Sequence, residues 1–106
     1  MSKLISKNPA TGEILQELDT TQLVDLPRIF SSAQEAQKRW GALPTKKRAK
    51  FLIQLREVLL NQIDEVVDLI SKENGKPRYE AMANEILPCI DTLTYFAKRS
   101  PNLLKD

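Results

Sequence analysis

Histidine is absent from this chain of 106 residues. Its absence removes the commonest general base and the commonest zinc ligand, leaving metal and triad chemistry little to stand on. A single cysteine, Cys89, cannot form an internal disulfide, which agrees with a reducing compartment. Glycine occurs at three scattered positions, Gly12, Gly41 and Gly75. A phosphate cradle needs several close glycines after a strand, so Gly75-Lys76 reads as a helix stop and not as an anion loop. Apolar runs are short and broken by charge, so no segment is expected to span a bilayer, and MSKLISKNP lacks the apolar stretch of a signal peptide. A cytoplasmic location is expected. Neither sign of charge dominates: 16 Lys and Arg against 14 Asp and Glu leave +2, too little to direct the chain to nucleic acid or acidic lipid. A chain of this length makes one small domain at most.

What is present is organised by period. Leu4 and Ile5, then Ile14, Leu15 and Leu18, flank Asn8-Pro9-Ala10-Thr11-Gly12-Glu13, in which Pro9 suits the second position of a turn and Gly12 a left-handed exit. A β-hairpin over about residues 3–18 follows. Beyond it, apolar positions recur at helical spacing. Ile29, Phe30, Ala33, Ala36 and Trp40 mark a helix over about 25–40, capped by Asp25, with Pro27 in its first turn and Gly41 at its end. Phe51, Leu52, Leu55, Val58 and Leu59 mark a second over about 45–60, with Thr45 as the cap. A break at 61–64 leads to a third over about 63–74, carried by Ile63, Val66, Val67 and Ile70 and terminated by Gly75. Pro77 opens a fourth over about 77–98, with Met82, Ile86, Ile90, Leu93 and Ala97 on one face. Pro88 falls inside it and costs about 3 kcal/mol in a regular helix, so a kink is expected there.

Few residues offer chemistry. Cys89 lies on an apolar stripe, where a free thiol is a packed core residue far more often than a nucleophile. Glu73, Glu80 and Glu85 could pair as acid and base, but carboxylates near a helix start also serve its dipole. The run Lys46-Lys47-Arg48-Ala49-Lys50 lacks interleaved aromatics and reads as a solvated helix face, although it sits at the unfavourable end of its helix dipole.

The turn NPATGEIL, the segment ending in Ala36 and Trp40 before an LP pair, the run RAKFLIQLREVLLNQIDEVVDLI, ENGKP and a later TYFA together resemble the opening of an aldehyde dehydrogenase. The resemblance covers Asn8 to Ala97. It implies a mainly α segment with an N-terminal β-hairpin and about four helices, residues 1–106 forming part of a larger α/β cofactor-binding domain. Relatives of that kind are several times longer, bind NAD or NADP, and oxidise an aldehyde to an acid with a cysteine nucleophile and a glutamate base. The family's PWN segment, cofactor-loop glycines, ELGG glutamate and GQxC-type cysteine have no counterpart here, and Cys89, in LPCID, inherits no role. No catalytic, cofactor-binding or metal residue is therefore expected in this chain. Some relatives hold a monovalent cation where Lys7 and Glu85 fall.

The resemblance implies an N-terminal fragment that is inactive alone, partnered by the remainder of the polypeptide and prone to self-association, with no nucleic-acid or membrane partner. The alternative is a free-standing helical protein-interaction module using the same stripes.

Overall fold

Strands β1 (Lys3–Lys7) and β2 (Ile14–Asp19) pair antiparallel in the computed structural model, which describes residues 2–105. Met1 and Asp106, the ends of the expected 1–106 segment, lie outside the described residues. Leu4 stands opposite Leu18, and the register slips between Ser6 and Lys7, where Lys7 meets Ile14. The turn is held by Asn8, whose Oδ1 accepts from the N–H of Ala10 at 2.9 Å and of Thr11 at 3.3 Å. Gly12 leaves it at φ +77, as a left-handed exit requires.

Helix α1 (Leu26–Ala42) begins after a 3-10 turn at Leu23–Asp25. Asp25 does not cap it: its backbone is already helical, and its carboxylate accepts from Arg28 at 3.2 Å instead. Gly41 does not end it either. The helix continues to Ala42 and stops because Leu43 precedes Pro44 and is held extended, at ψ 139. Helix α2 (Thr45–Asn61) then starts with Pro44, not Thr45, in the cap position, the Pro44 carbonyl accepting from Lys47 and Arg48 at 2.9 and 3.1 Å. Gln62 separates α2 from α3 (Ile63–Asn74), which Gly75 closes at φ +73 with its N–H on the Ser71 carbonyl. Pro77 is extended and precedes α4 (Arg78–Ala81), which passes through a π turn, Met82–Ile86, into α5 (Leu87–Leu103).

That π turn is the response to Pro88. Proline removes the N–H that residue 84 would accept and crowds that carbonyl, so the strain falls one turn upstream. Widening the turn relieves it: the Leu87 N–H reaches back to the Met82 carbonyl. Pro88 itself stands in the first turn of α5, where proline is tolerated.

Val67, Ala81 and Ile86 form the buried centre, with Ile63, Val66, Ile70 and Met82 packed on them. A second contact joins α2 to α5, which run antiparallel: Ala49 lies near Ala97, and Leu55 and Leu59 near Cys89 and Leu93. Arg56 ties the pair by donating to Thr94 Oγ1 at 3.1 Å. Among the described residues no member of α1 is buried, and its link to α2 is the Trp40–Phe51 ring contact at 5.3 Å.

The packing is open. The accessible surface is 8345 Å², against about 6,000 Å² for a compact chain of this mass. The radius of gyration is 17.9 Å, against about 13 Å for a compact domain of this length. Phe30, Leu55, Tyr79 and Phe96 are among the large apolar side chains left exposed.

Candidate functional site

The two most distinctive stretches, NPATG and ENGKP, meet in space. Pro9 Cγ stands 3.0 Å from where a Cβ on Gly75 would be, so the left-handed dihedral favours glycine there and any Cβ would have to push the proline ring aside by a few tenths of an ångström. Ser6 Oγ donates to Glu73 Oε1 at 3.1 Å, tying β1 to the end of α3. Ser71 Oγ donates to the Lys76 carbonyl at 2.7 Å, fixing the exit from α3. Asp68 gathers Lys72 at 2.8 Å and Arg78 at 3.0 Å on the outer side of the same corner. The Lys72 hydrogen bond holds the Asp68 carboxyl below its ordinary range, and Asp68 in turn raises Lys72.

Glu85 lies in the π turn, and the Lys76 ammonium is ion-paired to it. Lys7 ends β1 and makes no ion pair among the described residues. Glu73 is engaged by Ser6 and Glu85 by Lys76, while Glu80 is exposed on α4, so the three carboxylates share no partner. Among the described residues no group of three or more Cys, Asp or Glu is placed to hold a metal ion.

Cys89 is exposed, contrary to the packed thiol expected from its stripe. It lines a groove of about 480 Å³ between α2 and α5, with Leu55, Leu59, Pro88, Thr92 and Leu93. The stripe is apolar as read, and Ile86 and Ala97 on it are buried, but Cys89 lies on its exposed edge. The basic run also acquires a physical reason that the sequence alone did not supply. Because α2 and α5 are antiparallel, Lys46 and Lys50 stand beside Lys98 and Pro101, and Arg48 beside Ser100 and Leu104, at the C-terminal, negative end of the α5 dipole.

A dinucleotide cradle needs a glycine turn between a strand and the following helix, where the helix N-terminus receives the pyrophosphate. Gly12 leads into a strand, Gly41 lies within α1, and Gly75 joins two helices. None of the three glycines stands between a strand and a following helix. The hairpin is tied to the helical corner, and apolar helix faces point outward.

Comparison with known proteins agrees with the motifs. The model of the aldehyde dehydrogenase family matches residues 2–106. The chain is 35% identical over 99 residues to a D-glyceraldehyde dehydrogenase (NADP(+)) of Picrophilus torridus, covering 93% of this chain and 20% of that protein. It is 36% identical over 99 residues to a malonate-semialdehyde dehydrogenase of Halalkalibacterium halodurans, covering 92% of this chain and 20% of the relative. Against a 4,4'-diapolycopene aldehyde oxidase of a Methylomonas species the identity is 30% over 105 residues, covering 99% and 20% respectively. The chain thus spans about a fifth of the length of the curated relatives it matches. Matched by that family's model over residues 2–106, the chain belongs to the aldehyde dehydrogenase family.

Proposed function

We propose that this chain is the N-terminal portion of an NAD(P)-dependent aldehyde dehydrogenase, which oxidises an aldehyde to a carboxylic acid, and that the portion alone carries neither the catalytic nor the cofactor residues. The remainder of the polypeptide supplies the dinucleotide site and the nucleophile. The relatives' names, a D-glyceraldehyde dehydrogenase and a malonate-semialdehyde dehydrogenase among them, support the reaction class and leave the aldehyde open. NADP appears in one relative's name, which supports a nicotinamide cofactor for the whole protein.

The observation that carries this reading is the surface left uncovered: 8345 Å² where about 6,000 Å² suffices for a compact chain. A free-standing interaction module reserves one patch for a partner, and the largest patch on a typical monomer is about 300–600 Å². The exposed large apolar side chains here are not confined to one patch: they lie on both strands and on α1, α2, α3 and α5. Isolated from the rest of the protein, the chain is expected to self-associate through these faces, in the cytoplasm of its cell. None of its helices is long and apolar enough to cross a membrane among the described residues.

The test is the natural reading frame. Sequencing the transcript beyond residue 106 should reveal a glycine-bearing cofactor loop, an ELGG-type glutamate and a GQxC-type cysteine. A frame that ends without them would sink the proposal and favour the interaction module.

A further inference from the structure

We infer that Asn74-Gly75 is a latent site of spontaneous deamidation: the reaction is held off while the corner between the hairpin turn and α3 is closed, and its product keeps that corner from closing again. The asparagines of the chain are Asn8, Asn61, Asn74, Asn84 and Asn102, and only Asn74 is followed by glycine. In deamidation the main-chain nitrogen of the next residue attacks the side-chain carboxamide carbon. A Cβ on that next residue hinders the approach, so glycine leaves the path most open. At Asn74 a bond forms from the Gly75 nitrogen to Cγ, the Cγ–Nδ2 bond breaks, the Gly75 nitrogen gives up its proton and ammonia leaves. The cyclic imide then takes up one water, which opens it to aspartate or, with the main chain rerouted through the side chain, to isoaspartate. Nothing is oxidised or reduced, and water is the co-reactant.

The closed corner engages both reacting groups. The Gly75 N–H donates to the Ser71 carbonyl at 2.9 Å, and Asn74 Nδ2 donates to the Ile70 carbonyl at 3.2 Å. Asn74 is the last residue of α3, and a helical ψ turns the next nitrogen away from the residue's own Cγ, so ring closure requires Asn74 to leave the helix. Three contacts hold it there: Ser71 Oγ on the Lys76 carbonyl, Ser6 Oγ on Glu73 and the Pro9 ring against Gly75. Asn74 and Gly75 are themselves exposed, so water reaches the site. The rate is therefore that of the unfolded chain multiplied by the fraction of time the corner is open.

The product does not fit the closed corner. A carboxylate cannot donate to the Ile70 carbonyl, and it adds negative charge beside Glu73 at the C-terminal, negative end of the α3 dipole. Isoaspartate also lengthens the main chain by one carbon, which shifts Gly75 away from Ser71 and Pro9. A transient opening becomes a permanent one.

The test incubates the full chain in mildly alkaline buffer, with and without denaturant. Each asparagine is followed by peptide mass mapping, and isoaspartate at position 74 by enzymatic methylation. In denaturant Asn74 should react faster than Asn61, Asn84 and Asn102, and in native buffer about tenfold or more slowly than in denaturant. Combining Ser6→Ala with Ser71→Ala should speed Asn74 about fivefold or more in native buffer and leave its rate in denaturant unchanged. The denaturant midpoint should fall on ageing of the parent chain and hold steady in Asn74→Gln, whose longer side chain does not form the ring readily. Equal rates with and without denaturant, or an Asn74 no faster than the other asparagines in denaturant, overturn the assignment. Serine variants that leave the native rate unchanged remove the corner as its guard. An aged, deamidated chain with an unchanged midpoint overturns the claim that the product keeps the corner open.

Discussion

Pro9 and Gly75 are 66 positions apart and touch: the proline ring stands 3.0 Å from the position of a Cβ at 75, so any side chain there would press on it. The hairpin turn and the helix corner are therefore one structural unit. Gly75 also has φ +73, so two independent constraints fall on a single residue.

Gly75→Ala should destabilise the chain by about 1–3 kcal/mol, from left-handed strain together with the Pro9 contact. Gly12→Ala meets nothing within 4 Å, at φ +77, so it should cost only the backbone strain of about 1 kcal/mol. Removing the ring with Pro9→Ala should rescue part of the Gly75→Ala loss and none of the Gly12→Ala loss. Denaturant midpoints of the singles and doubles measure this. Equal losses at the two glycines, or no rescue, would mean that the Pro9 contact carries no weight.

Cys89 should react with a maleimide in native buffer, at low protein concentration, nearly as fast as in denaturant, because its side chain is exposed in the groove. Strong native protection at high dilution would place the thiol inside a packed core.

These two sites mark where the sequence is legible. Gly75 could be read because a left-handed helix exit has few residue solutions, and glycine is chief among them. Pro88 could be read as a disturbance but not placed. A helix bond spans four residues, so the distortion falls at Met82–Ile86, upstream of the proline that causes it. The stripe around Cys89 revealed that the face is apolar, but no period in the chain says whether another element lies on that face. The basic run on α2 made sense only when its neighbour was known, since the compensating dipole belongs to α5. The caps failed for a related reason: Asp25 is taken by Arg28, and Pro44 stands where Thr45 was expected.

The Asp68–Lys72 pair gives a pH signature. Asp68 titrates below its ordinary 3.8, chiefly through the Lys72 hydrogen bond, so its contribution is complete above that value and is lost as pH falls through the depressed folded value. Lys72 titrates above its ordinary 10.5, chiefly through the Asp68 hydrogen bond, so its contribution is complete below that value and is lost as pH rises through the raised folded value. Asp68→Asn should therefore lower the denaturant midpoint slightly and evenly between those limits. The difference should vanish in strong acid and shrink in strong base and at high salt, since both groups are exposed. A difference that does not change with pH would assign the effect to packing.

The central claim is that this chain is an open part of an aldehyde dehydrogenase, with apolar faces completed by the rest of that polypeptide. Sedimentation velocity over a concentration series of the isolated chain tests it most directly. The account predicts mass that rises with concentration, and an expanded monomer at the dilute end in keeping with a radius of gyration of 17.9 Å. A single compact monomer at every concentration, melting sharply and cooperatively, would contradict it.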